Sequence, residues 1–155
     1  MPNSSEIIIS DTSCLILLYK IDELGLLKAL SEKVYITKII EKEFGTSLPA
    51  WIKIKSPCDN HYQQILEMEL DKGEASAIAL SLEIDNAILI IDDYKGRRVA
   101  EKLSLKYSGT FGLILRSKQE GIVSSIRPIL NKIAKTNFHF SDNLFETILK
   151  EADEL

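Results

Sequence analysis

The segment EIIISD, Glu6–Asp11, decides the fold class of this chain of 155 residues. It is a continuous apolar, β-branched run that ends at an acid, which predicts a short strand covered on both faces. A second run of this kind, Ala87–Ile91 (AILII), ends at the pair Asp92–Asp93. Elsewhere apolar residues recur at helical spacing. Strands that alternate with helices predict an α/β fold with a mostly parallel central sheet.

The other elements are predicted from apolar periodicity and turn residues. The predicted strands are Glu6–Ser10, Val34–Ile36, Ala87–Ile91 and Lys106–Ser108, with one edge strand in the loop from Thr46 to Asn60. The predicted helices are Ser13–Tyr19, Glu23–Leu30, one from Thr37 to Gly45, Tyr62–Leu70, Gly73–Glu83, one from Asp93 to about Leu103, one from Thr110 to Gly121, Ile126–Lys135 and Asp142–Glu154. Ser13, Thr37 and Thr110 are predicted N-caps.

Composition predicts one globular domain, residues 1–155, with 45% hydrophobic and 27% charged residues. The apolar runs are too short to cross a bilayer, and the N-terminal MPNSSEIIIS lacks the basic flank of a signal peptide. Two isolated cysteines, Cys14 and Cys58, indicate a reducing, cytoplasmic location. The net charge of −4 gives the whole chain no attraction for nucleic acid. Such binding would depend on local basic patches or bound cations.

Acidic residues stand at the ends of several predicted elements. Asp11 and the pair Asp92–Asp93 follow buried strands, and ligands of open parallel sheets bind beyond the carboxyl ends of the strands. Each acid also has an ordinary structural explanation. Asp11 is good helix-capping chemistry, Glu74 opens a helix where the dipole favours a carboxylate, and Glu43 fits a solvated helix face. The combination is more informative than any one member.

If these acids converge, they require a cation. Two carboxylates about 5 Å apart repel by roughly 3 kcal/mol at an effective dielectric of about 20. Magnesium and manganese are hard, oxygen-liganded ions that offset this repulsion and promote phosphodiester hydrolysis. Zinc is a poor alternative, because His61 and His139 stand far apart and Cys58 with His61 does not complete a site. The acids therefore predict a divalent-metal site.

Several other chemistries lack their motifs. The sequence contains no glycine-rich phosphate loop and no G-x-S-x-G elbow, which argues against nucleoside-triphosphate and serine-hydrolase functions. A receiver-type phosphotransfer domain normally carries an acidic pair after its first strand, whereas here the pair follows a later strand. The main alternative to an enzyme is a module that binds RNA or protein without cutting.

Four segments, in this order and spacing, resemble the PIN-domain family and more narrowly its VapC-like toxins. They are EIIISDTSCLILLYKIDELGLLKAL, KGEASAIALSLE, AILIIDDYKGRRVAEKLSL and SGTFGLILRSKQEG, within a likeness that runs from about Glu6 to Asp153. The resemblance implies a three-layer α/β/α PIN-like, Rossmann-like fold. It also implies an endoribonuclease that uses Mg²⁺ or Mn²⁺, a small antitoxin protein as partner, and a homodimer.

The resemblance assigns the acids to roles. They fall on Asp11, on Glu43, on Glu74 (where many relatives have Asp) and on one of the pair Asp92 and Asp93. The strand end favours Asp92 and the family's usual spacer favours Asp93. All five acids are catalytic candidates, and the expected metal ligands are Asp11, Glu74, Asp92 and Asp93.

Hydroxyl and basic residues complete the predicted site. Thr12 and Ser13 are the supporting hydroxyl positions, and Thr110, besides its capping role, is a third supporting candidate. The basic run Lys95, Arg97 and Arg98 lies about one turn beyond Asp93 and is suited to binding backbone phosphate; an ordinary charged helix face is the alternative. The last helix has an apolar stripe that fits packing on the core or on a second chain, core packing being the default: Leu144, Phe145, Ile148, Leu149 and Ala152.

Overall fold

The computed structural model describes residues 6–138 and 140–155. Its strands are β1 (Ile7–Ser10), β2 (Val34–Ile36), β3 (Ile52–Ile54), β4 (Ala87–Ile90) and β5 (Tyr107–Ser108). Its helices are α1 (Thr12–Lys20), α2 (Gly25–Leu30), α3 (Lys38–Phe44), α4 (Asn60–Leu66), α5 (Lys72–Glu83), α6 (Tyr94–Lys102), α7 (Thr110–Gln119), α8 (Arg127–Ala134) and α9 (Asp142–Glu151). Residues 1–5 and His139 lie outside the described part. Residues 1–5 begin the N-terminal segment that the sequence predicts not to be a signal peptide.

The five strands form one sheet in the order β3-β2-β1-β4-β5, and every described pairing is parallel. The central strand β1 pairs with β4 in register from Ile7 opposite Ala87 to Ser10 opposite Ile90. Adjacent parallel strands need crossover connections, and helices supply them. The predicted parallel α/β sheet is therefore confirmed.

Both faces of the sheet are covered. Ile8 and Ile9 of β1 are fully buried, as are Leu89 and Ile90 of β4. Successive side chains of a strand point to opposite faces, so consecutive buried residues need helices on both sides. This is the three-layer α/β/α arrangement that the family resemblance implies.

Two predicted helix starts are wrong. The N-cap of α1 is Asp11, whose side chain accepts a hydrogen bond from the Cys14 amide, and Ser13 lies inside the helix. The N-cap of α7 is Gly109, which has no side chain to accept such a bond, and Thr110 is the first helical residue. In both cases the capping position lies one or two residues earlier than the hydroxyl residue that suggested it.

The last helix packs on the core of its own chain, as its default interpretation predicts. Ile148, Leu149 and Ala152 are buried, and α9 contacts α7. Leu144, near the start of the stripe, is 40% exposed. The helix ends at Glu151, before the predicted Glu154. No helix in the described ranges is long and apolar enough to cross a bilayer.

Candidate active site at the carboxyl edge of the sheet

The strand order places β1 and β4 side by side at the centre of the sheet. From this pair the chain continues to β2 on one side and to β5 on the other, so the connections diverge at this point. Open parallel sheets bind ligands at such a switch point, beyond the carboxyl ends of the strands. Asp11 directly follows β1, and Asp92 follows β4 with one residue between.

Asp11 is 3% exposed, which is rare for an acid, and none of the ion pairs among the described residues includes it. Its Oδ1 accepts from the Cys14 amide at 2.8 Å, and its Oδ2 accepts from the Asp92 amide at 3.0 Å. Burial, together with repulsion from Asp92, raises the pKa of Asp11 to about 7 in spite of these bonds. The Asp11 carboxylate thus caps α1 and also binds the backbone of the segment that follows β4.

Asp92 is held by one residue through two atoms. Its Oδ1 accepts from the Thr110 amide at 2.8 Å, and its Oδ2 accepts from the Thr110 hydroxyl at 2.6 Å. A Cβ on Gly109 would lie 2.9 Å from Asp92 Oδ1, so the absence of a side chain there permits the approach. Asp92 therefore takes the place at the start of α7 that a capping side chain would occupy, with the Thr110 hydroxyl turned towards it.

Asp93 has a different position from Asp92. Its Oδ2 accepts from the Gly96 amide at 2.9 Å, which makes it the N-cap of α6, and its side chain is exposed. It is nevertheless close enough to Glu74 to affect that carboxyl electrostatically. The acidic pair is therefore divided: Asp92 is beside Asp11, whereas Asp93 caps α6 and its charge acts on Glu74.

Glu74 lies in the first turn of α5 and is partly buried. Burial and repulsion from Asp71, Asp93 and Asp11 raise the pKa of Glu74 to about 7. Asp71, which does not figure among the sequence-predicted residues, is the N-cap of α5 and accepts from the Glu74 amide at 2.9 Å. The capping pattern Asp-x-x-Glu at positions 71–74 is the sequence signal that identifies it.

Glu43 approaches the same region from α3. Its Oε1 accepts from the Thr12 hydroxyl at 2.5 Å. A Cβ on Gly73 would lie 2.3 Å from the same oxygen, so Glu43 rests against the start of α5 in space that only glycine leaves free. Ser13, by contrast, is exposed and lines a different cavity with Lys20 and Phe138. Of the two supporting hydroxyls next to Asp11, only that of Thr12 bonds one of these acids among the described residues.

This geometry can be set beside known families. A family model described as a PIN domain matches residues 7–154, nearly the whole chain. The chain belongs to the PIN-domain family. A search of curated proteins gave no match. PIN domains are generally nucleases that use divalent metals. Both the family and the fold predicted from the sequence are thus confirmed, while the VapC-like subgroup stays a prediction.

The acids of this PIN domain suit a divalent cation in their chemistry. They offer only carboxylate oxygens, and a carboxylate that accepts one bond per oxygen keeps lone pairs for a metal. No basic side chain of the described residues is among the main groups that shift the pKa of Asp11 or Glu74. Yet within residues 6–138 and 140–155 no three His, Cys, Asp or Glu side chains are placed to hold an ion together. Metal binding by three of these acids thus requires their side chains to move closer.

The basic run after Asp93 divides between two faces of α6. Lys95 and Arg98 line one face together with Lys102, at helical spacing. Arg97 lies on another face, where its guanidinium carbon is 5.6 Å from the centre of the Tyr107 ring. In the PIN domain only Arg97 of the three lines a cavity that Asp92 also lines.

Proposed function

We propose that this PIN domain is a metal-dependent endoribonuclease that hydrolyses phosphodiester bonds in RNA with Mg²⁺ or Mn²⁺. The observation that supports it most is the direct link between two acids at the switch point, the 3.0 Å bond from the Asp92 amide to Asp11 Oδ2. This bond fixes the ends of β1 and β4 relative to each other, so the two carboxylates are presented at one edge. The charge of Asp11 also contributes to the raised pKa of Glu74, which places Glu74 near this pair.

In this proposal Asp11 and Asp92 are the first metal ligands and Glu74 is the third. A bound divalent ion would offset the charge of the acids and polarise the phosphodiester. Thr110 holds Asp92, and Thr12 holds Glu43 against Gly73 at the start of α5. Asp93 has a smaller role than Asp92, because its carboxylate is exposed and caps α6.

The positive charges near the acids suit a nucleic-acid substrate. Lys95, Arg98 and Lys102 form a basic stripe on α6, the helix that begins directly after Asp93. Phosphate contacts of this kind position a nucleic acid without reading its sequence. They provide the local positive charge that a chain of net charge −4 needs to bind RNA. RNA rather than DNA is taken from the resemblance to the VapC-like subgroup.

The test compares Asp11→Asn with a matched control, Asp22→Asn. Asp22 is exposed just beyond the far end of α1, and asparagine tolerates its positive φ of 58°. We expect the wild type and the control to cut RNA with Mn²⁺ but not with a chelator, and Mn²⁺ to raise their Tm. Asp11→Asn should lose the cleavage and the Tm shift while it remains folded by circular dichroism.

A second pair of variants tests whether Asp92 and Asp93 have different roles. Asn at 93 can still cap α6, since asparagine is as good an N-cap as aspartate. We therefore expect Asp93→Asn to keep most of the Mn²⁺-induced Tm shift and Asp92→Asn to lose it. Equal loss in both variants would contradict this division of roles between Asp92 and Asp93.

The alternative is a PIN-like module that binds RNA or a protein and does not cut. The observation that favours it is the lack of a preformed metal-binding group in the described residues. Wild-type protein that binds RNA, shows no Mn²⁺-induced Tm shift and never cleaves would establish this alternative and reject the nuclease.

We further propose, from the resemblance, that the enzyme is a toxin, forms a homodimer and is controlled by a small antitoxin. Its cytoplasmic location is proposed from the two isolated cysteines. Expression of the wild type should then arrest growth, whereas Asp11→Asn should not. Growth arrest by the Asn variant would reject cleavage as the cause of toxicity.

A further inference from the structure

A cavity of about 430 Å³ opens beside Asp92, between β5, α7 and α9. Its volume lies in the range of small-molecule sites. Glycine permits close packing on one side: a Cβ on Gly112 would lie 2.2 Å from the Ser108 Oγ. Asp92 itself lines the cavity, which therefore adjoins the candidate active site.

Arg97 is the cation of this cavity. Its guanidinium carbon is 5.6 Å from the centre of the Tyr107 ring, and a Cβ on Gly109 would lie 3.7 Å from its Nη1. Within residues 6–138 and 140–155 it has no ion-pair partner. An arginine that is held against an aromatic ring but carries no counter-ion keeps its donors for a ligand, and its planar fork suits phosphate.

The rest of the cavity lining is part apolar and part polar. Phe111, Leu115 and Ile148 form its apolar wall, and Thr147 and Glu151 of α9 add a hydroxyl and a carboxylate. An aromatic and aliphatic wall fits the face of a base, and hydroxyl and carboxylate groups fit its polar edge. The charge and the wall together match one nucleotide better than a purely apolar ligand.

We propose that this cavity is a nucleotide subsite, which holds one nucleotide of single-stranded RNA next to the phosphodiester that is cut. Arg97 binds its phosphate and the wall formed by Phe111, Leu115 and Ile148 binds its base. The subsite rests on the proposed nuclease function and adds selectivity to it: the nucleotide that fits this cavity determines which bond reaches Asp11 and Asp92.

Arg98 differs from Arg97 in the cavity that it lines. Arg98 lies on another face of α6 with Lys95 and Lys102, where it lines a separate, smaller cavity of about 110 Å³ that Asp92 does not line. It is suited to contacts with any phosphate along the strand. Loss of Arg98 should weaken cleavage at all positions alike, whereas loss of Arg97 should change the pattern of cleavage.

The first experiment needs no catalysis. The four ribonucleoside 5′-monophosphates are titrated against the full chain in a chelating buffer, with binding followed by NMR or calorimetry. The variants are Arg97→Ala and Leu144→Trp, which fills the cavity from a rim position that is 40% exposed and so tolerates the change. Lys150→Ala is the control, an exposed residue of α9 that does not line the cavity.

We expect at least one nucleotide to bind the wild type and the control, with affinity at least tenfold weaker for both cavity variants. Binding that is equal in all four proteins, or no binding to the wild type, overturns the subsite. Nucleotide binding by a wild type that never cleaves RNA rejects the nuclease and leaves the cavity as a nucleotide site, so the two failures are distinguishable.

The second experiment maps the cleavage of a mixed-sequence RNA by Arg97→Ala and Arg98→Ala. The expected result is a changed ratio of products for Arg97→Ala and an unchanged ratio, at a lower rate, for Arg98→Ala. An unchanged ratio in both variants contradicts a role of the cavity in selecting the bond.

Discussion

Thr110 shows how one residue can fix an acid that lies far away in sequence. Its amide and its hydroxyl each donate to a different oxygen of Asp92. The hydroxyl is fully buried, so its bond is not exchanged for one with water. Two donors from one backbone position restrict the rotation of the carboxylate, and partners of metal-binding acids act in this way.

We predict that Thr110→Val lowers kcat/KM for RNA by about ten- to a hundredfold and stability by about 1 kcal/mol. Valine keeps the shape and the amide bond but removes the hydroxyl. Thr110→Ser, which restores the donor, should recover most of the activity. Cleavage kinetics and urea unfolding of both variants measure the two effects. A serine variant as slow as the valine variant would mean that packing, and not the hydrogen bond, matters.

The residue scale is also where the sequence was least informative. Asp11 and Asp92 could be predicted because buried strands end at them, and a strand end is a local pattern. That Thr110 turns its hydroxyl to Asp92 depends on β5 lying next to β4, which brings together residues 18 positions apart. Local pattern predicted a cap there, since the same hydroxyl chemistry serves both roles.

At the scale of elements, the acids of the site are also helix caps. Asp11, Asp71 and Asp93 accept backbone bonds at the starts of α1, α5 and α6. A carboxylate at a helix N-terminus is stabilised by the orphan N–H groups and the helix dipole. The capping explanation of these acids is therefore compatible with the proposed functional one in a single arrangement. The supporting contacts of Glu43 with Thr12 and Gly73 could not be predicted, because they join three separate elements.

Glu154 connects the segment after α9 to the rest of the chain through hydrogen bonds and an ion pair. Its carboxylate accepts from the Ser125 hydroxyl at 2.6 Å and the Ile126 amide at 2.8 Å, and it pairs with Lys118 at 2.9 Å. Although burial opposes ionisation, the bonds from Ser125, Ile126 and Lys118 lower the pKa of Glu154 to about 2. One acid thus connects the C-terminal end to α7 and to the start of α8.

The pH dependence of stability follows from the sign of that shift. The folded pKa is below the ordinary value of 4.5, so the contribution of Glu154 is present above that pH and is lost as pH falls towards 2. We predict that the free energy of unfolding of the wild type exceeds that of Glu154→Gln by about 1 kcal/mol at pH 6. Solvent screening near the surface limits this difference. The gap should close towards pH 2.5 in urea unfolding. A gap that is independent of pH would exclude ionisation as its origin.

At the scale of the whole molecule, the net charge of −4 repels the negatively charged RNA. The local cations that favour it are Lys95, Arg97, Arg98 and Lys102 on α6. If each of four cations neutralises one phosphate, the logarithm of affinity for single-stranded RNA should fall with the logarithm of salt with a slope of about −3. We predict this slope for Asp11→Asn, which binds without cutting, and a slope smaller by about 0.7 when Lys95→Ala is added. Filter binding at several salt concentrations measures both; an unchanged slope would place the RNA elsewhere.

The pairing of β1 with β4 joins residues 80 positions apart, for example Ile8 and Ile88. Contacts this distant in sequence form late in folding, because a long loop must first close. During synthesis Asp11 leaves the ribosome early, while Asp92 follows 81 residues later and the threonine that holds it 99 residues later. A growing chain therefore contains only one of the two linked acids, Asp11, through most of translation. If the proposed activity is correct, the nascent protein is harmless to the RNA around it until its second half is made.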